Sequence, residues 1–97
     1  MKPVGFIWDT GNREKNWKKH GVSEKECEEV FANTPLRISD DPKHSSAERR
    51  YSALGKTHSG RRLVVFFTIR NTMIRVISAR NQSKKERRAY EEATKAN

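Results

Sequence analysis

The sequence predicts a single α+β domain over residues 1–97, built around one β-hairpin and flanked by short helices. Segment 61–80 is the densest run of large apolar side chains, and its β-branched and aromatic residues are typical of packed strands. The capping-box pattern Ser-x-x-Glu occurs at Ser23 and again at Ser83, where it indicates the start of a helix. A chain this short buries only about 65% of its unfolded surface, so we expect a thin core formed mainly by the hairpin.

The two faces of the hairpin differ in character. A two-residue turn at 71–72 pairs Arg70 with Met73 and Thr68 with Arg75. Strict alternation then gives one face of continuous core: Leu63, Val65, Phe67, Ile69, Ile74 and Val76. The opposite face is apolar at one end and cationic at the other: Val64, Phe66, Thr68, Arg70, Met73, Arg75, Ile77 and Ala79. A sheet face that presents guanidinium groups beside apolar side chains is suited to binding an anion.

The N-terminal third predicts an edge strand followed by a helical hairpin. The apolar segment 6–8 is the edge strand, and Asp9 is expected to cap a helix that runs to about His20. Gly21 is expected to end this helix in the left-handed conformation. The second helix begins at the first capping box and continues to Ala32, so that the two helices cover one face of the sheet.

The middle of the chain predicts two more strands. Residues 36–38 suit a short strand, 39–46 form a polar, turn-prone loop, and 49–55 alternate weakly as a strand that leads into the hairpin. The register of this last strand is open, so either Arg50 or Tyr51 shares the cationic face.

The C-terminal helix is predicted from the second capping box to about Ala93. Its apolar content is thin, so we expect it to be weakly held without a partner. Cations crowd its first turns, where the helix dipole disfavours them, and either water or a bound anion offsets the cost. These cations are Lys84, Lys85, Arg87 and Arg88.

Positive charge is concentrated in the second half of the chain. Residues 1–48 contain eight Lys and Arg against nine Asp and Glu, whereas residues 49–97 contain thirteen against three. Nine of the eleven arginines also lie in the second half. This asymmetry is the electrostatic pattern of a nucleic-acid-binding protein. The alternative is a domain whose cationic face is only solvated.

Composition argues against membrane proteins and metal sites. No apolar run is long enough to cross a membrane and no signal-peptide pattern follows Met1, so we expect a cytoplasmic protein. The three histidines and Cys27 lack metal-ligand spacing, and we predict neither a metal site nor a cofactor. Cys27 is interpreted as a small buried residue, and Trp8 and Trp17 as packing residues.

Short motifs are spread along nearly the whole chain. They are Phe6-x-Trp8-Asp9, Asn16-x-x-Lys19-His20-Gly21-Val22-Ser23, Val30-Phe31-Ala32, Asp41-Pro-x-His44-Ser45-x-x-Glu48-x-Arg50, Gly55, Leu63-Val-Val, Thr68-x-Arg70, Ile74-Arg-x-Ile-Ser-Ala-Arg80, and Glu86 with Tyr90. In this combination the chain resembles the BrnT family, the ribonuclease toxins of type II toxin–antitoxin pairs. It departs from the family pattern at Asn12, where lysine is frequent, and at Glu24 and Cys27, where an aromatic residue or alanine is expected.

The resemblance implies a RelE-like fold, with an antiparallel β-sheet, an N-terminal helical hairpin and a C-terminal helix. It implies an endoribonuclease that cleaves mRNA and arrests translation. It also implies a neutralising ribbon-helix-helix antitoxin that resembles BrnA, and contact with operator DNA only through that antitoxin.

Cleavage of RNA needs no metal in principle, because the 2′-hydroxyl of RNA is itself the nucleophile. The protein must stabilise the extra negative charge of the phosphorane, and guanidinium groups suit this task. The candidate catalytic residues on the hairpin are Arg70, Arg75 and Arg80. Alternation places Arg80 on the opposite face, where it reaches the site only around the strand end, and a salt bridge with Glu86 is an equally open interpretation.

Proton transfer requires a group that titrates near neutral pH or is held beside the reacting hydroxyl. His44 and Glu48, both in the predicted loop region, are the leading candidates, and the resulting set of catalytic candidates is Arg70, Arg75, His44, Glu48 and Arg80. His20 is second to them, since its position at a helix end favours a structural role.

The candidate RNA-binding residues are basic or aromatic side chains outside this set: Lys19, Arg50, Tyr90, Lys84 and Arg87. Tyr90 could donate a proton or stack on a base, although such a tyrosine more often anchors its own helix. The rival function is a non-catalytic nucleic-acid-binding module, or a co-repressor that acts only within a complex.

Overall fold

The computed structural model describes residues 5–9, 17–44 and 48–95. Five strands form one sheet: β1 (Gly5–Ile7), β2 (Arg37–Asp40), β3 (Tyr51–Lys56), β4 (Arg62–Arg70) and β5 (Met73–Asn81). Two helices have both ends in the described ranges: α1 (Glu24–Ala32) and α2 (Lys84–Lys95). Residues 17–20 are also helical, and Pro42–His44 form a short 3₁₀ turn. The predicted α+β class is confirmed.

The sheet is mixed, with the strand order β1-β5-β4-β3-β2. Strands β2 to β5 pair antiparallel, whereas β1 pairs parallel with β5, which sets Ile7 beside Arg75. The expectation of a wholly antiparallel sheet is therefore wrong at one edge. Most of the chain separates β1 from β5, so no tight turn imposes an antiparallel direction on this pair.

The turn of the central hairpin is the one that the sequence predicts. Residues 71–72 have φ angles of 49° and 67°, the left-handed pair that a two-residue hairpin favours. Arg70 pairs with Met73 and Thr68 with Arg75. The predicted register is confirmed at this end of the hairpin.

The pairing of β4 with β5 shifts by one residue farther from the turn. Phe67 pairs with Val76, but the preceding residue of β4, Phe66, pairs with Ser78. Ile77 is left without a cross-strand partner and forms a β-bulge. Beyond the bulge, each side chain of β5 lies on the face opposite to the one that strict alternation predicts.

The bulge corrects two predicted assignments. Ala79 pairs with Val65 and is fully buried, so it belongs to the core face instead of the cationic one. Arg80 pairs with Val64, which puts it on the same face as Arg75 and not on the opposite one. Neither glycine nor proline marks the bulge, and the alternation pattern alone therefore misses it.

Helix α1 packs on the core face of the sheet. Phe31 makes edge-to-face contacts with Phe6 and Phe67, at ring-centre distances of 5.6 and 5.1 Å. Gly55 lets the helix approach β3 closely, because a Cβ there would lie 2.7 Å from Cγ1 of Val30. The buried core cluster comprises Val22, Cys27, Val30, Ala53, Leu63, Val65, Phe67, Ile74, Val76 and Ala79.

Both predicted capping boxes form. Oγ of Ser23 accepts from the backbone N–H of Glu26 at 3.1 Å, and the Glu26 carboxylate accepts from the N–H of Ser23 at 3.1 Å. Ser83 and Glu86 make the same pair of bonds at the start of α2, at 3.2 and 2.7 Å. The third predicted cap, by Asp9, involves residues outside the described ranges.

The helical residues 17–20 end at Gly21, whose φ of 62° confirms the predicted left-handed conformation. Trp8 packs against the core, as predicted. Trp17 is exposed, so its predicted packing role is wrong. Apolar character alone does not decide burial at Trp17, because this helical turn directs its side chain to solvent.

The register of β3 is now fixed. Tyr51 pairs with Phe67 and stacks on its ring at 5.4 Å, so Tyr51 faces the core. Arg50 directly precedes β3, and its carbonyl accepts from the N–H of Asp41 at 2.9 Å. The predicted loop 39–46 starts too early, because its first two residues belong to β2.

Helix α2 is held by an aromatic anchor and ion pairs. Tyr90 is buried, and its hydroxyl donates to the carbonyl of Pro35 at 2.6 Å. Arg62 of β4 donates to Glu91 at 2.6 Å. The helix extends two residues beyond the predicted end at Ala93. The expectation that this helix is weakly held without a partner stays a prediction.

Arg61 joins three parts of the fold. Its Nε donates to Oδ1 of Asn81 at 2.8 Å, and Nη1 donates to the Gly21 carbonyl at 2.8 Å and to Oε2 of Glu26 at 3.0 Å. Its Nη2 donates to the carbonyl of His20 at 3.1 Å. This arginine therefore holds the N-terminal helical region against β5, and its donors serve the fold instead of a ligand.

Candidate active site

The three candidate catalytic arginines lie on the face of the sheet opposite α1, which Arg62 of β4 shares. Arg70 and Arg75 are diagonal cross-strand neighbours, an arrangement that places Cβ atoms about 7–8 Å apart. Because of the bulge, Arg80 lies on the same face, four positions away along β4, or about 14 Å. We call this surface the cationic face; Phe66 and Thr68 belong to it as well.

Arg70 is fixed by a carboxylate from the segment that precedes β3. Its Nε and Nη2 donate to the two oxygens of Glu48, at 2.8 and 3.0 Å. These hydrogen bonds hold the pKa of Glu48 below its ordinary value, and the positive charges of Arg75 and Arg50 act in the same direction. The same contact raises the pKa of Arg70. Four of the predicted site residues therefore form one electrostatic cluster.

Arg75 is paired with Asp9, whose sequence context predicts only a helix cap. Its Nη2 donates to Oδ2 of Asp9 at 2.6 Å. The Arg75 side chain is 23% exposed, against 50% for Arg70. Opposite it, Thr68 is buried, and its hydroxyl has no hydrogen-bond partner among the described residues. The only local feature of the sequence at Asp9 is its position directly after the predicted edge strand. That position does not predict an ion pair with a residue of β5.

Arg80 combines the two roles that the sequence left open. Its Nη1 and Nη2 donate to the carboxylate of Glu86 at 2.7 and 3.1 Å, and its guanidinium lies 5.5 Å from the centre of the Phe66 ring. The Arg80 hydrogen bond holds the pKa of Glu86 below its ordinary value. The salt bridge is therefore present, and the bulge still directs Arg80 to the cationic face.

The remaining predicted residues are spread around the molecule. His44 ends the 3₁₀ turn that follows β2, and its side chain lies outside the part of the chain that is described. Lys19, Lys84 and Arg87 are exposed. Tyr90 is buried and its hydroxyl is bonded to the backbone, so it is not available to stack on a base, and we assign it the anchoring role.

The described residues offer neither a metal site nor a membrane-spanning helix. They contain no cluster of three or more His, Cys, Asp or Glu side chains arranged to hold a metal ion. No helix in the described ranges is long and apolar enough to span a membrane.

Comparison with known proteins gives a match to a family model and a match to a solved structure. A family model described as the ribonuclease toxin BrnT of type II toxin–antitoxin systems matches residues 8–86. The 1.1 Å crystal structure of the Brucella abortus ribonuclease toxin BrnT superposes with a TM-score of 0.64 at 24% identity, over 84% of this chain and 99% of that one. No curated protein matches. The crystal structure supports the fold, and the family match covers most of the chain. The chain therefore belongs to the BrnT family of ribonuclease toxins of type II toxin–antitoxin systems.

Proposed function

We propose that this toxin is an endoribonuclease that cleaves mRNA without a metal ion and thereby arrests translation. The 2′-hydroxyl adjacent to the scissile phosphate attacks the phosphorus, and the products are a 2′,3′-cyclic phosphate and a free 5′-hydroxyl. The fold that carries this activity is RelE-like. The observation that supports the proposal most strongly is the cationic face itself, where Arg70, Arg75 and Arg80 are each held by a carboxylate.

The arginines supply the charge that such a reaction needs. A phosphorane carries more negative charge than the phosphate from which it forms, and guanidinium groups held in place by the fold stabilise that charge with little reorganisation. Arg70 and Arg75 are close enough to act on one phosphate. Arg80 lies farther along the strands and contacts a neighbouring phosphate of the same RNA strand.

Glu48 and His44 have different roles in the reaction. Glu48 has a lowered pKa and is ionised throughout the neutral range, so it is a weak base, and its main contribution is to orient Arg70. His44 is the general acid or base, because an ordinary imidazole titrates near the working pH. Lys19, Arg50, Lys84 and Arg87 make further contacts with the RNA strand.

An antitoxin neutralises the toxin by covering the cationic face. The net charge of +9 favours an acidic or amphipathic segment as the covering element, and we propose that this segment belongs to a BrnA-like ribbon-helix-helix protein. Operator DNA is contacted only through the antitoxin. The melting temperature of the toxin should rise when the complex forms, since the partner binds the folded state.

The decisive test of the activity is incubation of the purified protein with total RNA in excess chelator. Cleavage to fragments that end in cyclic phosphate is expected. Retention of intact RNA under the same conditions would instead favour the non-catalytic binding module.

Binding is tested separately from cleavage by its dependence on salt. Each phosphate that the protein neutralises on a single strand contributes a slope of about 0.7 in log K against log salt concentration. Arg70→Ala is expected to lower the slope by roughly one such contact. An unchanged slope would remove Arg70 from the RNA contact surface.

A further inference from the structure

We propose that Asp9 is the positioning residue of Arg75, which orients the guanidinium toward the scissile phosphate. The inference rests on the proposed function, in which Arg75 stabilises the phosphorane. The geometry follows from the sheet: parallel pairing sets Ile7 of β1 beside Arg75 of β5, and Asp9 follows two residues later. Its Oδ2 accepts from Nη2 of Arg75 at 2.6 Å.

The way in which Arg75 is held differs from that of the other two arginines. Arg70 and Arg80 each use two nitrogens on one carboxylate. Arg75 uses Nη2 alone on Asp9, and this contact leaves the Nε–H and the Nη1 edge of the guanidinium unused by the carboxylate. A single hydrogen bond to Asp9 fixes the direction of the planar guanidinium group of Arg75. Most of its five N–H donors can then bind a phosphate.

Asp9 is placed so that its loss should spare the fold. The segment that carries it is attached to the core by Phe6, which contacts Phe31, and by Trp8, whose indole N–H donates to Glu28 at 3.0 Å. Asp9 itself is half exposed. Among the residues that the structure describes, Asp9 acts on Arg75 and, through its charge, on Arg70, whose pKa is raised first by Glu48 and to a smaller extent by Asp9.

The test compares single-turnover cleavage and the Kd for uncut RNA among Asp9→Ala, Asp9→Asn, Arg75→Ala and the Asp9→Ala, Arg75→Ala double variant. Misplacement of a catalytic group by about 1 Å costs on the order of 100-fold in rate, so we expect Asp9→Ala to lose about 10- to 100-fold. The Kd should change less than about threefold, because the phosphate-binding charge of Arg75 remains. Asp9→Asn keeps an acceptor of the same size and should recover part of the rate.

The double variant is the strictest part of the test. A residue that acts through Arg75 loses its effect once Arg75 is absent, so the double variant should cleave no more slowly than Arg75→Ala. Glu28→Gln is the matched control, since it removes a carboxylate bonded to the same segment but directed to Trp8; parental cleavage is expected. Melting curves verify that each variant is folded. If Asp9→Ala does not fold, Asp9→Asn replaces it in the comparison with Arg75→Ala.

Three results would overturn the inference. Parental or faster cleavage by Asp9→Ala, with Arg75→Ala impaired, would exclude positioning and leave the proposed function intact. Independent, multiplicative losses in the double variant would mean that Asp9 acts without Arg75. Parental cleavage by Arg75→Ala would refute the proposed role of Arg75, and the inference with it.

Discussion

Arg61 and Arg62 are adjacent in sequence, but the structure predicts very different consequences for their loss. Arg61→Ala removes four hydrogen bonds, to Asn81, Gly21, Glu26 and His20. The side chain of Arg61 is 28% exposed, so we assign each bond about 0.5–1 kcal/mol. The sum is about 2–4 kcal/mol of unfolding free energy. For a domain of this size that corresponds to a fall in Tm of roughly 10–25 °C.

Arg62→Ala is the matched control. It removes one ion pair with Glu91, in which the two side chains are 42% and 51% exposed. Exposed ion pairs contribute about 0–1 kcal/mol, and the expected change in Tm is correspondingly small. The measurement is urea denaturation of both variants, followed by circular dichroism, with the slope m compared to that of the parent. Equal losses of stability in the two variants would refute the assignment of Arg61 as a structural hub.

Three further predictions concern stability and reactivity. Cys27 is buried, as predicted, and burial raises the pKa of its thiol to about 12. Alkylation of Cys27 in the folded protein at pH 8 should therefore be slow, and its rate should rise in urea in proportion to the unfolded fraction. Arg80, with help from the helix cap, holds the pKa of Glu86 below its ordinary value of 4.5. Glu86 therefore contributes stability that is fully present above about pH 4.5 and lost as the pH falls through the lower folded-state pKa; the urea midpoint should fall in acid, and less steeply in Glu86→Gln. Gly55→Ala places a Cβ against Val30 and should cost about 1–3 kcal/mol in the same urea assay, because α1 must move off the sheet.

The parts of the fold that sequence predicts correctly are those governed by local interactions. Asn71 readily adopts a left-handed φ angle. Thr72 adopts one as well, in spite of its β-branched side chain, and the resulting two-residue turn fixes the register between Arg70 and Met73. Each capping box is contained within four residues, so both helix starts are evident from Ser23 and Ser83. Short-range chemistry of this kind needs no knowledge of tertiary structure.

The parts that sequence misses depend on contacts between distant residues. The bulge at Ile77 is imposed by the pairing of two long strands, and it decides which face carries Arg80. The parallel pairing of β1 with β5 is equally non-local, and it brings Asp9 to Arg75, 66 positions along the chain. Composition shows only that the chain is rich in arginine. The fold decides that Arg61 stabilises the protein, whereas Arg70, Arg75 and Arg80 lie on the cationic face.

The central claim is that a fixed guanidinium at Arg75 stabilises the phosphorane, and Arg75→Lys tests it most directly. Lysine keeps the positive charge but lacks the planar fork of donors. In excess chelator, Arg75→Lys and Arg75→Ala should both lose about 10²–10³ in single-turnover cleavage, and Arg75→Lys should bind uncut RNA almost as the parent does. Parental cleavage by Arg75→Lys would contradict this account, because charge alone would then suffice at this position.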